Sequence, residues 1–239
     1  FEDENSVRKA IEEAKYLNQK LKNNLLIVRI TRPTTVEIMD FIKSELKYFP
    51  TINLIIDYSN KGFAKIIKED SRKNNIGMIM LTSEMFKNKE NTKSVMELKI
   101  PVFKFGKEKL KSIKRTVIVL NDTNSYEQIS PIVFDISSQL KVKTKIFDLD
   151  PIGEKDGKST LLDHFENLAK IFNEKLEVVT SGENPIRELK KQRNMLQILP
   201  LKEDMFKKRF SFKFLYTNSD FIAFDMNKFN QLLIPIVEE

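Results

Sequence analysis

The feature that most narrows what this chain can fold into is a recurring short run of aliphatic, often β-branched residues. Such runs stand at 25–30 (LLIVRI), 52–58 (INLIIDY), 76–83 (IGMIMLTS), 100–105 (IPVFKF), 116–122 (TVIVLND), 143–150 (KTKIFDLD), 176–181 (LEVVTS), 195–201 (MLQILPL) and 231–237 (QLLIPIV). Each is strand-sized and apolar nearly throughout, instead of alternating with polar residues. Between them, apolar residues recur at helical spacing: Val7, Ala10, Ile11, Ala14, Leu17 and Leu21 before the first run, and Tyr126, Ile129, Val133, Ile136 and Leu140 after the fifth. A strand buried on both faces needs apolar residues on both, and its crossover helices supply the cover. The pattern therefore predicts an α/β fold built on parallel sheet.

The alternation pauses once and then restarts. Lys104, Lys107, Lys109, Lys111, Lys114 and Arg115 crowd one stretch against the single acid Glu108. The reading divides the chain into a helical lead-in at 1–24, a first α/β unit at 25–106, a basic connector at 107–115 and a second α/β unit at 116–239. The second unit reads βαβαβαβαβ, with DFIAFD at 220–225 as a short extra strand. The first is either one βα pair shorter or has its opening strand ahead of Phe1. A chain that starts on Phe1 reads as a piece of a longer polypeptide.

Several chemistries are excluded by composition. There are no cysteines, which removes disulfides, thiol catalysis and zinc-thiolate sites, and His164 is the only histidine, which removes His-His metal sites. No metal site is expected. The loop PIGEKDGKST at 151–160 ends like a phosphate-gripping P-loop, but only three residues separate Gly153 from Gly157 where that motif needs four. It also fails as a calcium loop: Asp148 and Asp150 start the pattern, but Ile152 stands where an oxygen ligand belongs and Ser159 where a bidentate Glu belongs. KKRFSFKF at 207–214 interleaves bases and aromatics; lysine stems lying over buried Phe rings explain it better than nucleic-acid stacking. No nucleophile–base pair is visible, so no enzyme and no cofactor is expected. No run of about 18 apolar residues offers a membrane span. The net charge of +7 favours an anionic partner.

The strand runs carry a family resemblance. TVIVLND looks like the first strand of the universal stress protein fold, of the adenine nucleotide alpha hydrolase-like type, and GMIMLTS looks like its fourth. IPVFKF and LLIPIV, with Pro101 and Pro235, look like its last strand in each unit. The resemblance implies two tandem parallel-sheet units, with Asp122 at the acidic position on the adenine side. ATP-binding members hold the phosphates on a glycine-rich stretch after the fourth strand. The matching segments here, LTSEMFKNKENTKSV and LPLKEDMFKKRFSF, contain no glycine.

Tandem, glycine-poor units of this kind are similar to the cytoplasmic tails of monovalent cation/proton antiporters. That similarity implies a non-catalytic regulatory or assembly domain on the cytoplasmic face of the inner membrane. Its expected partner is the transmembrane transporter domain of the same polypeptide. A homodimer and contact of Lys104, Lys107, Lys109, Lys111, Lys114 and Arg115 with anionic lipid are further expectations, and nucleic acid is not a partner. The alternative is a free-standing stress-type protein that binds adenine nucleotide through Asp122.

Overall fold

A computed structural model describes residues 4–21, 26–30, 35–47, 52–56, 62–120, 124–148, 155–180, 185–201 and 226–236. The chain forms two compact units, 1–74 and 75–239.

In the first unit the periodic lead-in forms α1 (Glu4–Lys20). It is followed by β1 (Leu26–Ile30), α2 (Val36–Leu46), β2 (Ile52–Ile56) and α3 (Phe63–Lys73). β1 and β2 pair in parallel, Val28 beside Leu54. Helix α2 starts where Thr35 turns its hydroxyl to accept the Ile38 N–H. Its apolar stripe meets that of α1: Ile11, Ile42 and Leu46 are buried together, with Ile38, Met39 and Phe41 against them. The Arg8 guanidinium lies 3.9 Å from the Phe41 ring centroid, and Lys15 pairs with Glu45 at 2.7 Å.

The second unit begins with β3 (Ile79–Thr82), α4 (Ser83–Lys87), α5 (Lys89–Leu98) and β4 (Val102–Phe105). Then come β5 (Arg115–Leu120), α6 (Asn124–Leu140), β6 (Lys143–Asp148), α7 (Lys155–Ile171) and β7 (Leu176–Thr180). The series closes with α8 (Pro185–Lys191), β8 (Met195–Leu201) and β9 (Asn230–Pro235). The helical stretch after β3 is broken at Asn88, whose side-chain oxygen accepts the Glu90 and Asn91 N–H groups and so restarts the helix as α5.

These strands make one seven-stranded sheet in the order β3-β4-β9-β8-β5-β6-β7. All pairs are parallel except β4 with β9, where Val102 lies opposite Leu233 and Lys104 opposite Gln231. This differs from the expected division at the basic connector. The sheet runs through it, because β4 and β9 each present a free edge to the other, and the compact units divide between Asn74 and Asn75. Val117, Ile118, Val119, Ile146, Ile198, Leu199 and Leu233 are buried on one face or the other, as a doubly covered sheet requires. Phe134 of α6 packs on Phe165 and Phe172, with ring centroids 6.0 and 5.8 Å apart, which locks α6 to α7.

Several element pairs after α1 resemble pairs after α6. Helices α1 and α2 pack together as α6 and α7 do. Strands β1 and β2 pair in parallel as β6 and β7 do, and β3 and β4 as β8 and β9 do. Among the described residues only β5 has no counterpart in the first series.

Candidate functional site

Two edges of the sheet can carry function. The first is the carboxyl edge. From β5 the chain winds outward through β6 and β7, then returns to β8 on the other side of β5. Ligands of open α/β sheets bind outside the carboxyl ends of the two strands at such a reversal, here β5 and β8. β5 ends at Leu120, two residues before Asp122, which lies outside the described residues, as does the segment after Leu201. The P-loop-like stretch is resolved in part. Gly157, Lys158 and Ser159 belong to the opening turns of α7 and not to a loop ahead of it. This stretch therefore forms a helix start.

The second is the amino edge, where the basic connector lies. Because β4 runs against β9, its carboxyl end meets the amino ends of β9, β8 and β5. The connector is fixed there by its backbone. Lys107 N–H donates to the Asn227 and Lys228 carbonyls, each at 3.0 Å, and Lys114 N–H donates to the Asn194 carbonyl at 2.8 Å. Asn230 is fully buried; it accepts the Gly106 N–H and donates to the Glu108 carbonyl, both at 2.9 Å. Leu110 anchors a single 3-10 turn, Leu110–Ser112, in the core.

The electrostatic result follows from which side chains face inward. Glu108, the one acid of the connector, accepts the Asn194 N–H at 2.9 Å and stands 4.0 Å from the Lys228 ammonium. Lys107, Lys109, Lys111 and Lys114 are exposed, and so is Arg193 beside them. Lys228 donates to the Gln192 and Lys190 carbonyls at 2.9 and 3.3 Å, which closes the carboxyl end of α8. Arg115 is half-buried, its guanidinium 3.4 Å from the Gln192 side-chain oxygen.

Lys104, expected on this surface from its place in the basic run, is instead fully buried. It is a β4 residue in a sheet covered on both faces, and its ammonium lies 5.4 Å from the Phe86 ring centroid. It belongs to a polar row across the sheet. Gln231 donates to Gln197 at 2.7 Å, and Lys145 pairs with Glu177 at 2.8 Å. That bond to Lys145 holds the Glu177 carboxyl below its ordinary range. On the opposite face Thr116, Ser137 and Thr144 share a buried hydroxyl cluster, and Thr144 donates to Glu174 at 3.1 Å. Burial there raises the Glu174 carboxyl above its usual value, against the lowering effect of Thr144.

His164 is half-buried, with Nε2 2.9 Å from the Ser130 hydroxyl, and ties α7 to α6. Among the described residues no group of three metal-ligating side chains converges, and no helix is long and apolar enough to cross a membrane. Sequence reasoning missed Asn230, Asn194 and Lys228. No local pattern marks them, because their partners lie tens to more than a hundred residues away.

No family model and no curated protein matches the chain. Solved structures do. A functionally unknown protein from Pseudomonas aeruginosa PAO1 aligns with a TM-score of 0.56 at 12% identity, over 88% of this chain and 81% of its own. A protein assigned as a universal stress protein, from another P. aeruginosa strain, aligns at 0.57 and 12%, with the same coverage of 88% and 81%. A universal stress protein from Archaeoglobus fulgidus aligns at 0.52 and 11%, over 95% of this chain and 91% of its own. The chain therefore has the universal stress protein type of α/β fold.

Proposed function

We propose that this chain is a non-catalytic regulatory module that docks by its basic amino edge on the anionic cytoplasmic face of a membrane, beside a monovalent cation/proton antiporter whose transport it tunes. The observation that carries the reading is the fixed display of Lys107, Lys109, Lys111 and Lys114, with Glu108 turned inward. A connector already held by its backbone loses little further freedom on docking. Each exposed lysine contributes about 1 kcal/mol near an anionic membrane surface, screened by salt over roughly 8 Å. Four together reach about millimolar affinity. That is enough to orient a module and too little to anchor it, so a second attachment to the transporter belongs to the reading. The similarity of the glycine-poor tandem units to antiporter tails supports the choice of transporter.

The test is ion flux in the full-length transporter with Lys107, Lys109, Lys111 and Lys114 all changed to Glu. The expected result is altered flux or pH dependence in a protein that still folds and inserts. Unchanged flux removes the amino edge from the mechanism. Low-micromolar ATP binding that is lost in Asp122→Ala favours the nucleotide-binding alternative instead.

A further inference from the structure

The turns that lead into β6 and β7 enclose an open concavity of about 290 Å³, on chain segments separate from the basic connector. Helices α6 and α7 end beside it on left-handed residues, Lys141 with φ 57° and Asn173 with φ 52°. The N–H groups that follow close the two helix ends. Val142 donates to the Ser137 carbonyl at 3.0 Å, and Glu174 to the Ala169 carbonyl at 2.8 Å. Lysines and one acid are left to meet a ligand. Lys141, Lys143 and Lys175 line the concavity and are exposed, and none of them is ion-paired among the described residues. Lys143 and Lys175 directly precede the first rung of β6 with β7, Thr144 beside Leu176, so two cationic side chains start from neighbouring strands at one level. Like charges so placed repel, and an anion between them removes that cost.

Glu174 decides which kind of anion. Its Oε2 accepts from the Thr144 hydroxyl at 3.1 Å, while Oε1 is buried and has no hydrogen-bond partner among the described residues. A buried acceptor left unfilled costs free energy that a donor restores. The last torsion of a Glu side chain is soft, so the carboxyl turns to such a donor at little cost. Burial, which raises this carboxyl above its usual value, also makes it a stronger proton acceptor.

We propose that this concavity binds a phosphate group that still carries a proton, as a phosphomonoester or free hydrogen phosphate, with Lys141, Lys143 and Lys175 on its charged oxygens and Glu174 accepting its P–OH. Sulfate and phosphodiesters carry the charge and lack the proton, so the carboxylate repels them. The site uses no connector lysine and goes beyond the docking reading.

The probe is inorganic phosphate, titrated into the whole chain at about pH 6, where a phosphomonoester is still partly protonated. Sulfate at equal ionic strength is run beside it, and both are followed by amide chemical shifts. The expected result is saturable shifts centred on residues 141–144 and 173–175, with phosphate bound about tenfold tighter than sulfate, the worth of one hydrogen bond to a charged group. Glu174→Gln offers a donor where the acceptor stood and should erase that preference. Lys143→Glu with Lys175→Glu should weaken both anions in a chain that keeps its thermal melt. No saturable binding, equal affinity for both anions in the unaltered chain, or shifts that survive the two lysine reversals overturns the site. Vesicles of phosphatidic acid, a monoester, and of phosphatidylserine, a diester, at equal surface charge then separate the sources. A preference for phosphatidic acid that Glu174→Gln removes supports the site with a lipid headgroup as its ligand. Phosphate selectivity without that preference supports it with a soluble phosphomonoester. Phosphate selectivity with no binding to either vesicle supports the site and overturns the docking reading alone.

Discussion

Gly106 is where the connector leaves the sheet, and it has no room for a side chain. A Cβ there would fall on the Phe229 carbonyl group and the Asn230 nitrogen, which are backbone atoms and cannot swing aside. Gly106→Ala should cost about 1–3 kcal/mol through overpacking, a drop of several degrees in a thermal melt. An unchanged melting temperature would show that the approach of β4 to the 229–230 backbone is looser than described. Glu174 tests a different residue-scale effect. Its carboxyl binds a proton more tightly folded than unfolded, because burial opposes its charge. The stabilisation is therefore fully present below the ordinary carboxyl range and is lost as pH rises through the raised folded value. Glu174→Gln keeps the acceptor for Thr144 and removes the charge. It should raise stability more at pH 7 than at pH 4, as seen in paired denaturant titrations; an equal gain at both would assign the effect to packing.

At the scale of elements, the connector at 106–115 is held to the strand ends by backbone and side-chain bonds, and Asn230 makes two of them. Asn230→Ala removes the side-chain acceptor of the Gly106 N–H and the donor to the Glu108 carbonyl, at a cost of about 1–3 kcal/mol. Exchange at the Lys107 to Leu110 amides should quicken with it, while β6 and β7 stay protected; uniform loss of protection would mean global unfolding and no local role. Elements are also where the sequence was most readable. Runs such as 116–122 and 195–201 announce doubly buried strands by composition alone, and the stripes of α1 and α6 announce helices. The break at Asn88 leaves no mark in the sequence, because a capping asparagine between helical turns looks like any exposed polar residue. The burial of Lys104 was missed because a basic run in sequence does not reveal that β4 ends within it. The pairing of β4 with β9 joins residues more than a hundred positions apart, and period and composition do not specify which strand lies next to which. Of the candidate site, the lysines were legible; their fixed display by Asn194, Asn230 and the 227–228 backbone was not.

For the whole molecule, the exposed lysines of the connector and the inward-facing Glu108 gather positive charge on the amino edge. Long-range attraction from such a surface depends on salt, and shape recognition of a nucleotide at the carboxyl edge does not. The most direct test of the docking account is co-sedimentation of the chain with vesicles containing phosphatidylserine, across a salt series. The Lys107→Glu, Lys109→Glu, Lys111→Glu, Lys114→Glu combination is run beside it. The account expects weak binding at low salt that falls steadily as salt rises, and that the charge-reversed protein loses while keeping its thermal melt. Equal sedimentation of both proteins at every salt concentration would contradict it.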